Sequence, residues 1–157
     1  PKSDNNKINT PLPNLDTTVI KKYSLESTIA EKFDAILQRF ELTGRMKDFY
    51  DIYYLSRAFD FEGAKLQSAI FETLQQRGTP YDRDSFKRVA SLAEDDDMQK
   101  RWKYFLKNSK DNMLEFSVVI AEIKTFLEPV FDAIVNEEEW QEQWNFITKW
   151  NKMKGKP

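Results

Sequence analysis

The sequence predicts an all-α fold, a bundle of about six or seven helices preceded by a short orphan strand or extended segment. Three observations carry that expectation. Apolar residues recur at three- and four-residue spacing over most of the chain after Ser24. The breaks between periodic stretches are short, as at Thr43-Gly44 and Arg77-Gly78. No two strand-like runs are joined by a credible hairpin turn.

Taken in order, residues 1–23 read as an extended lead. Its run TVIKKY favours a strand but has no second strand to pair with, which suggests a piece that completes a sheet elsewhere. Ser24 is a candidate N-cap for a first helix with Leu25, Ile29, Phe33, Ile36, Leu37 and Phe40 on one face. A second helix is expected from about Arg45 to Ala58, and a third, capped by Asp60, over roughly Glu62 to Gln76. A weaker helix follows near Asp84 to Leu92. The acids Glu94 to Asp97 suit the amino end of the next, MQKRWKYFLKN. The long segment LEFSVVIAEIKTFLEPVFDAIV is expected to kink or divide at Pro129. The final stretch, EEEWQEQWNFITKW, acid-rich at its start and basic at its end, reads as a seventh helix. The expected organisation is the lead at 1–23, a helical domain at 24–137, and a C-terminal helix with a basic tail at 138–157.

Composition narrows the chemistry. The 157 residues contain no Cys and no His, which removes thiolate nucleophiles, imidazole bases and sulfur-ligated zinc. Carboxylates, Lys, Arg and hydroxyls remain. The four glycines form neither G-x-G-x-x-G nor a P-loop. A net charge of −2 offers no general attraction to nucleic acid, and no DNA partner is expected. No apolar run is long enough for a membrane span and no signal peptide is visible, so the expected location is cytoplasmic.

Within this frame the stretch GRMKDFYDIYYL draws attention. On a helical wheel Asp48 falls inside the apolar arc with Ile52 and Leu55, and Asp51 lies at its edge, one turn away. A carboxylate there needs a cation, backbone amides or a ligand that brings positive charge. Either the acids stabilise a helix start and pair with Arg45, Lys47 or a residue of the first helix, or they form half of an active site. Lys32, on the border of the first helix's apolar face, poses the matching choice between a snorkelling side chain and a point charge that reaches a phosphate. Asp95-Asp96-Asp97 contains a literal D-x-D but precedes a helix, and is expected to be a solvated cap rather than a metal site. Trp140, Trp144, Ile147 and Trp150 are spaced as an aromatic face for a core or a protein partner.

These stretches resemble the carboxy-terminal half of the AbiEii/AbiGii nucleotidyltransferase toxins of bacterial toxin–antitoxin and phage-defence systems. The resemblance runs from about residue 18 to residue 135, through TVIKKYSLESTIAEKFDAILQR, GRMKDFYDIYYLSRAFDFEGAKLQSAIFETLQQRGTPY, RWKYFLKN and IKTFLEPVFDAI. It implies that Lys32 matches a lysine that contacts nucleotide phosphates. It also implies that Asp48 and Asp51 match a motif in which one aspartate is essential to transfer, with Arg45 and Lys47 holding the helix start or the triphosphate. Lys47 stands where many members place Arg, which keeps the charge but loses a bidentate fork. The family's Gly-Ser/Thr loop and strand-borne D-x-D have no counterpart here, so the resemblance implies a helical portion of a larger enzyme. Mg²⁺ and a nucleoside triphosphate are expected only in the intact enzyme, with an RNA end as possible acceptor and an antitoxin protein as partner, and this chain alone is expected to be inactive. The alternative is a non-catalytic module that binds an antitoxin, or itself, through the face around Trp140 and Trp144.

Overall fold

The computed structural model describes residues 24–38 and 42–152. The TVIKKY run, Phe40 and the lysines beyond Lys152 lie outside the described residues. Within them the chain forms six α-helices: α1 (Leu25–Leu37), α2 (Met46–Ala58), α3 (Gly63–Arg77), α4 (Ser85–Ala90), α5 (Asp96–Leu106) and α6 (Phe116–Val135). Strand β1 (Phe61–Glu62) lies between α2 and α3, and β2 (Gln143–Asn145) and β3 (Lys149–Asn151) follow α6. The mostly helical fold matches the sequence expectation.

Several local signals act as their chemistry requires. The Ser24 hydroxyl accepts from the Ser27 amide at 3.0 Å and starts α1. Gly78, at φ 64°, closes α3 in the left-handed region that costs glycine little. Asp95 accepts from the Met98 amide at 2.9 Å, so the acid cluster is a helix cap. Asp60, by contrast, does not cap α3. Glu62 holds that position, and Asp60 accepts from the Asn145 side chain at 3.0 Å.

Helix α6 is the central element. Pro129 lies inside it and does not divide it, because Phe126, Leu127, Val130 and Phe131 are buried on both sides of the proline. Around α6 the aromatic core falls into three groups: Phe33 and Phe86 on Phe131, Phe49 and Trp102 on Phe116, and Phe61 and Trp144 on Phe126. Each such ring, fully buried, contributes about 1.5–3 kcal/mol.

The expected seventh helix is instead a hairpin. Strands β2 and β3 pair antiparallel with Trp144 opposite Trp150, and β1 adds to β2 with Phe61 opposite Trp144, giving the order β1-β2-β3. The reasons are local. Glu137 ends α6 at φ 57°, and the Glu138 amide reaches back to the Ala133 carbonyl at 2.8 Å, a closing turn that redirects the chain. The Asn145 side chain then accepts from the Ile147 and Thr148 amides, an Asx turn that competes with helix. Trp144, Phe146, Ile147, Thr148 and Trp150 are also residue types that favour a pleated surface. The tryptophans join the core rather than a partner surface. Trp144 is buried and donates to the Ser56 carbonyl at 2.6 Å, and Trp150 donates to the Phe126 carbonyl at 2.9 Å. Only Ile147 of the predicted face is exposed.

Candidate functional site

The candidate residues meet where α1 crosses the first turns of α2. Arg45 is the N-cap residue of α2 but supplies no side-chain cap, so the helix start leans on its backbone and on Asp48, whose charge suits the positive end of the helix dipole. From α1, Lys32 Nζ reaches Asp51 Oδ2 at 3.0 Å and Asp48 Oδ1 at 3.5 Å. Lys47 Nζ approaches the same Asp51 oxygen at 2.8 Å, and Arg45 Nη1 lies 3.8 Å from Asp48 Oδ2. All five residues singled out in the sequence therefore converge.

They differ in access. Asp51 is fully buried, whereas Lys32 and Asp48 keep 15% and 19% of their side-chain surface. The wheel had placed Asp48 deeper than Asp51. The order reverses because α1 covers the Asp51 side of α2 while the first turn, where Asp48 sits, stays partly open. Asp51 Oδ1 and Arg45 Nε are buried with no hydrogen-bond partner among the described residues.

Three cations face two carboxylates, an excess of one positive charge when both acids are ionised. Burial pushes the Asp48 carboxyl above its ordinary value. Lys32 and Arg45 pull it down and Asp51 pushes it up, but burial prevails. Lys32 donates to Asp48 Oδ1 at 3.5 Å and forms an ion pair with Asp51 Oδ2 at 3.0 Å, so its three N–H donors are not exhausted and can serve an incoming oxygen.

The donor set does not fit a resident Mg²⁺. Among the described residues no group of three or more His, Cys, Asp or Glu side chains could hold a metal ion. Both carboxylates of the cluster already face ammonium or guanidinium groups, where Mg²⁺ needs converging free oxygens.

Sequence reasoning missed two features near the site. One is Asp34 on α1, buried, which accepts from the Gln38 amide at 2.8 Å and from the Thr79 hydroxyl. It clasps α1 to the turn after α3, and it lies beyond the edge of the apolar face of α1, so the sequence pattern gave no signal for its burial. The other is Asp111, which accepts from the Tyr50 hydroxyl at 2.6 Å and, after burial itself, helps push the Tyr50 pKa well up. A separation of 61 residues hides that pair from any local pattern. No helix among the described residues is long and apolar enough to cross a membrane.

Comparison with known proteins supplies one match: the family described as nucleotidyl transferase AbiEii toxin, type IV toxin–antitoxin system, matches residues 4–149. The match spans nearly the whole chain, including most of the lead before α1. No curated protein and no solved structure matches.

Proposed function

From the premise that the chain belongs to the AbiEii family of nucleotidyltransferase toxins, we propose that the Lys32, Arg45, Lys47, Asp48 and Asp51 cluster is its part of a site that transfers a nucleotidyl group from a nucleoside triphosphate to an acceptor hydroxyl, such as an RNA end. The observation that carries this is the contact of one partly exposed lysine from α1 with both aspartates of α2, in a cluster with surplus positive charge.

Each residue takes a distinct task. Asp51, sealed between Lys32 and Lys47, is a positioning residue that aims two ammonium groups at one place. Lys32, with its remaining donor, holds a phosphate oxygen, and Lys47 and Arg45 add charge from the open side. Asp48, which keeps 19% of its side-chain surface where Asp51 is sealed and whose carboxyl burial pushes above its ordinary value, accepts the proton. In the step, the acceptor O–H gives its proton to Asp48, the oxygen bonds to the α-phosphorus, and the bond from that phosphorus to the bridging oxygen breaks to release pyrophosphate. In such enzymes Mg²⁺ offsets the triphosphate charge, and its carboxylate ligands are not found in this cluster. We further propose that the chain is the helical portion of the enzyme, that it binds nucleotide without transferring it unaided, and that it acts within the cytoplasm beside an antitoxin.

Calorimetric titration with a nucleoside triphosphate tests the central claim. Lys32→Met is expected to weaken binding about tenfold or more, the loss of one charge-assisted hydrogen bond. It should keep the fold, since Asp51 retains Lys47. Equal affinity in the two proteins would remove Lys32 from the site.

A further inference from the structure

The stripe of α2 that begins at Lys47 does not end at Asp51. Residues four, seven and eleven positions on from Lys47 are Asp51, Tyr54 and Ala58, so all four lie along one side of the helix. Tyr54 and Ala58 belong to a cleft of about 430 Å³ also lined by Tyr53, Arg57, Asp111 and Leu114. From Lys47 to Tyr54 the helix rises about 10 Å, comparable to the reach of a nucleoside triphosphate from its phosphates to its base.

The lining suits a nucleoside rather than a phosphate. Tyr53 and Tyr54 offer partly buried rings whose open sides can pack against a base whatever its identity. Arg57 is engaged by aromatic rings, its guanidinium carbon 4.0 Å from the Phe146 ring centre and 5.2 Å from that of Tyr53. Asp111 uses one oxygen for Tyr50, and its other oxygen has no partner among the described residues. A carboxylate repels phosphate but accepts from base amino groups and sugar hydroxyls. With Arg57 and Asp111 as its two charged residues the cleft carries no net charge, where the Lys32 cluster is basic, a division that matches a nucleoside joined to its phosphates.

We propose that this cleft receives the nucleoside end of a nucleotide whose phosphates lie on the Lys32, Lys47 and Arg45 cluster, with the base packed on Tyr54 and Asp111 accepting from its neutral donors. The proposal rests on the phosphate-binding reading above and extends it along α2.

Titration of the full chain with three probes tests it: inorganic triphosphate, a nucleoside triphosphate, and a short single-stranded RNA with no triphosphate. The nucleoside triphosphate is expected to bind about tenfold tighter than inorganic triphosphate. Tyr54→Leu should abolish that difference, while Tyr54→Phe, which keeps the ring, should preserve it. A Tyr54-dependent affinity seen only with the RNA overturns the proposal and assigns the cleft to the acceptor instead. If neither nucleotide probe responds to Tyr54→Leu, the proposal is overturned, even where inorganic triphosphate still binds and the phosphate cluster stands. If inorganic triphosphate alone fails to bind, the phosphate cluster falls, and with it the placement of a nucleotide along α2. Binding of no probe overturns both.

Discussion

Asp48 and Asp51 stand one helical turn apart, and their surroundings give them opposite relations to stability. Asp51 is sealed, accepts from Lys47 and forms an ion pair with Lys32, so removing its charge leaves Lys32 short of a partner in a poorly solvated place. Asp51→Asn is expected to cost about 3 kcal/mol in urea unfolding. Asp48 is the reverse case. Its pKa is higher in the folded chain than in the unfolded one, so between the two values the native state binds more protons. Stability contributed by protonated Asp48 is therefore present at low pH and lost as pH rises through that window. Asp48→Asn should be as stable as the parent at low pH and more stable at neutral pH, the gap widening as pH increases. Unfolding curves at a series of pH values check the sign, and a variant that becomes less stable toward neutral pH contradicts it. A carboxylate that costs stability where the protein works is a common property of functional rather than structural acids.

At the scale of elements, the sequence made the helices legible because each has an amphipathic repeat and a physical stop. The α1 cap at Ser24 and the α3 end at Gly78 are cases where one residue type has one available task. The convergence of Lys32 with Asp48 and Asp51 was legible through charged residues placed on apolar faces and through the family resemblance. The hairpin was not, since Trp140 and Trp144, four apart, fit helical spacing as well as strand alternation, and the deciding features are an Asx turn and pairing with a strand over eighty residues away. That pairing requires Gly63. Its amide donates to the Glu142 carbonyl at 2.7 Å, and a Cβ there would sit 2.6 Å from that oxygen and from Trp140 Cδ1. A backbone oxygen cannot swing aside as a side chain end can. Gly63→Ala, favourable for an ordinary helix position, is here expected to destabilise by about 1–3 kcal/mol. Thermal melts of the variant measure it, and an unchanged or raised melting temperature would show that the hairpin is free to shift.

For the molecule as a whole, the hairpin and the segment that leads into it tie three helices to one another. Trp144 donates to the last turn of α2, Trp150 to α6, and Gln67 of α3 both donates to the Glu138 carbonyl and accepts from the Trp140 amide. Trp144 also closes one end of the core against Phe126 at 4.8 Å between ring centres. Since α2 carries both the Asp48/Asp51 pair at its start and the Ser56 carbonyl near its end, the hairpin helps fix the helix on which the candidate site is built. Removing the indole in Trp144→Ala leaves a cavity and an unpaired buried carbonyl, a loss of about 3–5 kcal/mol. If the hairpin and bundle form one cooperative unit, this loss lowers amide protection in α1 and α6 as much as in β2 and β3. Hydrogen exchange resolved by residue makes the distinction. Deprotection confined to 143–151, with α1 and α6 retaining parental protection, would show that the hairpin opens independently and that the geometry of the site rests on the helices alone.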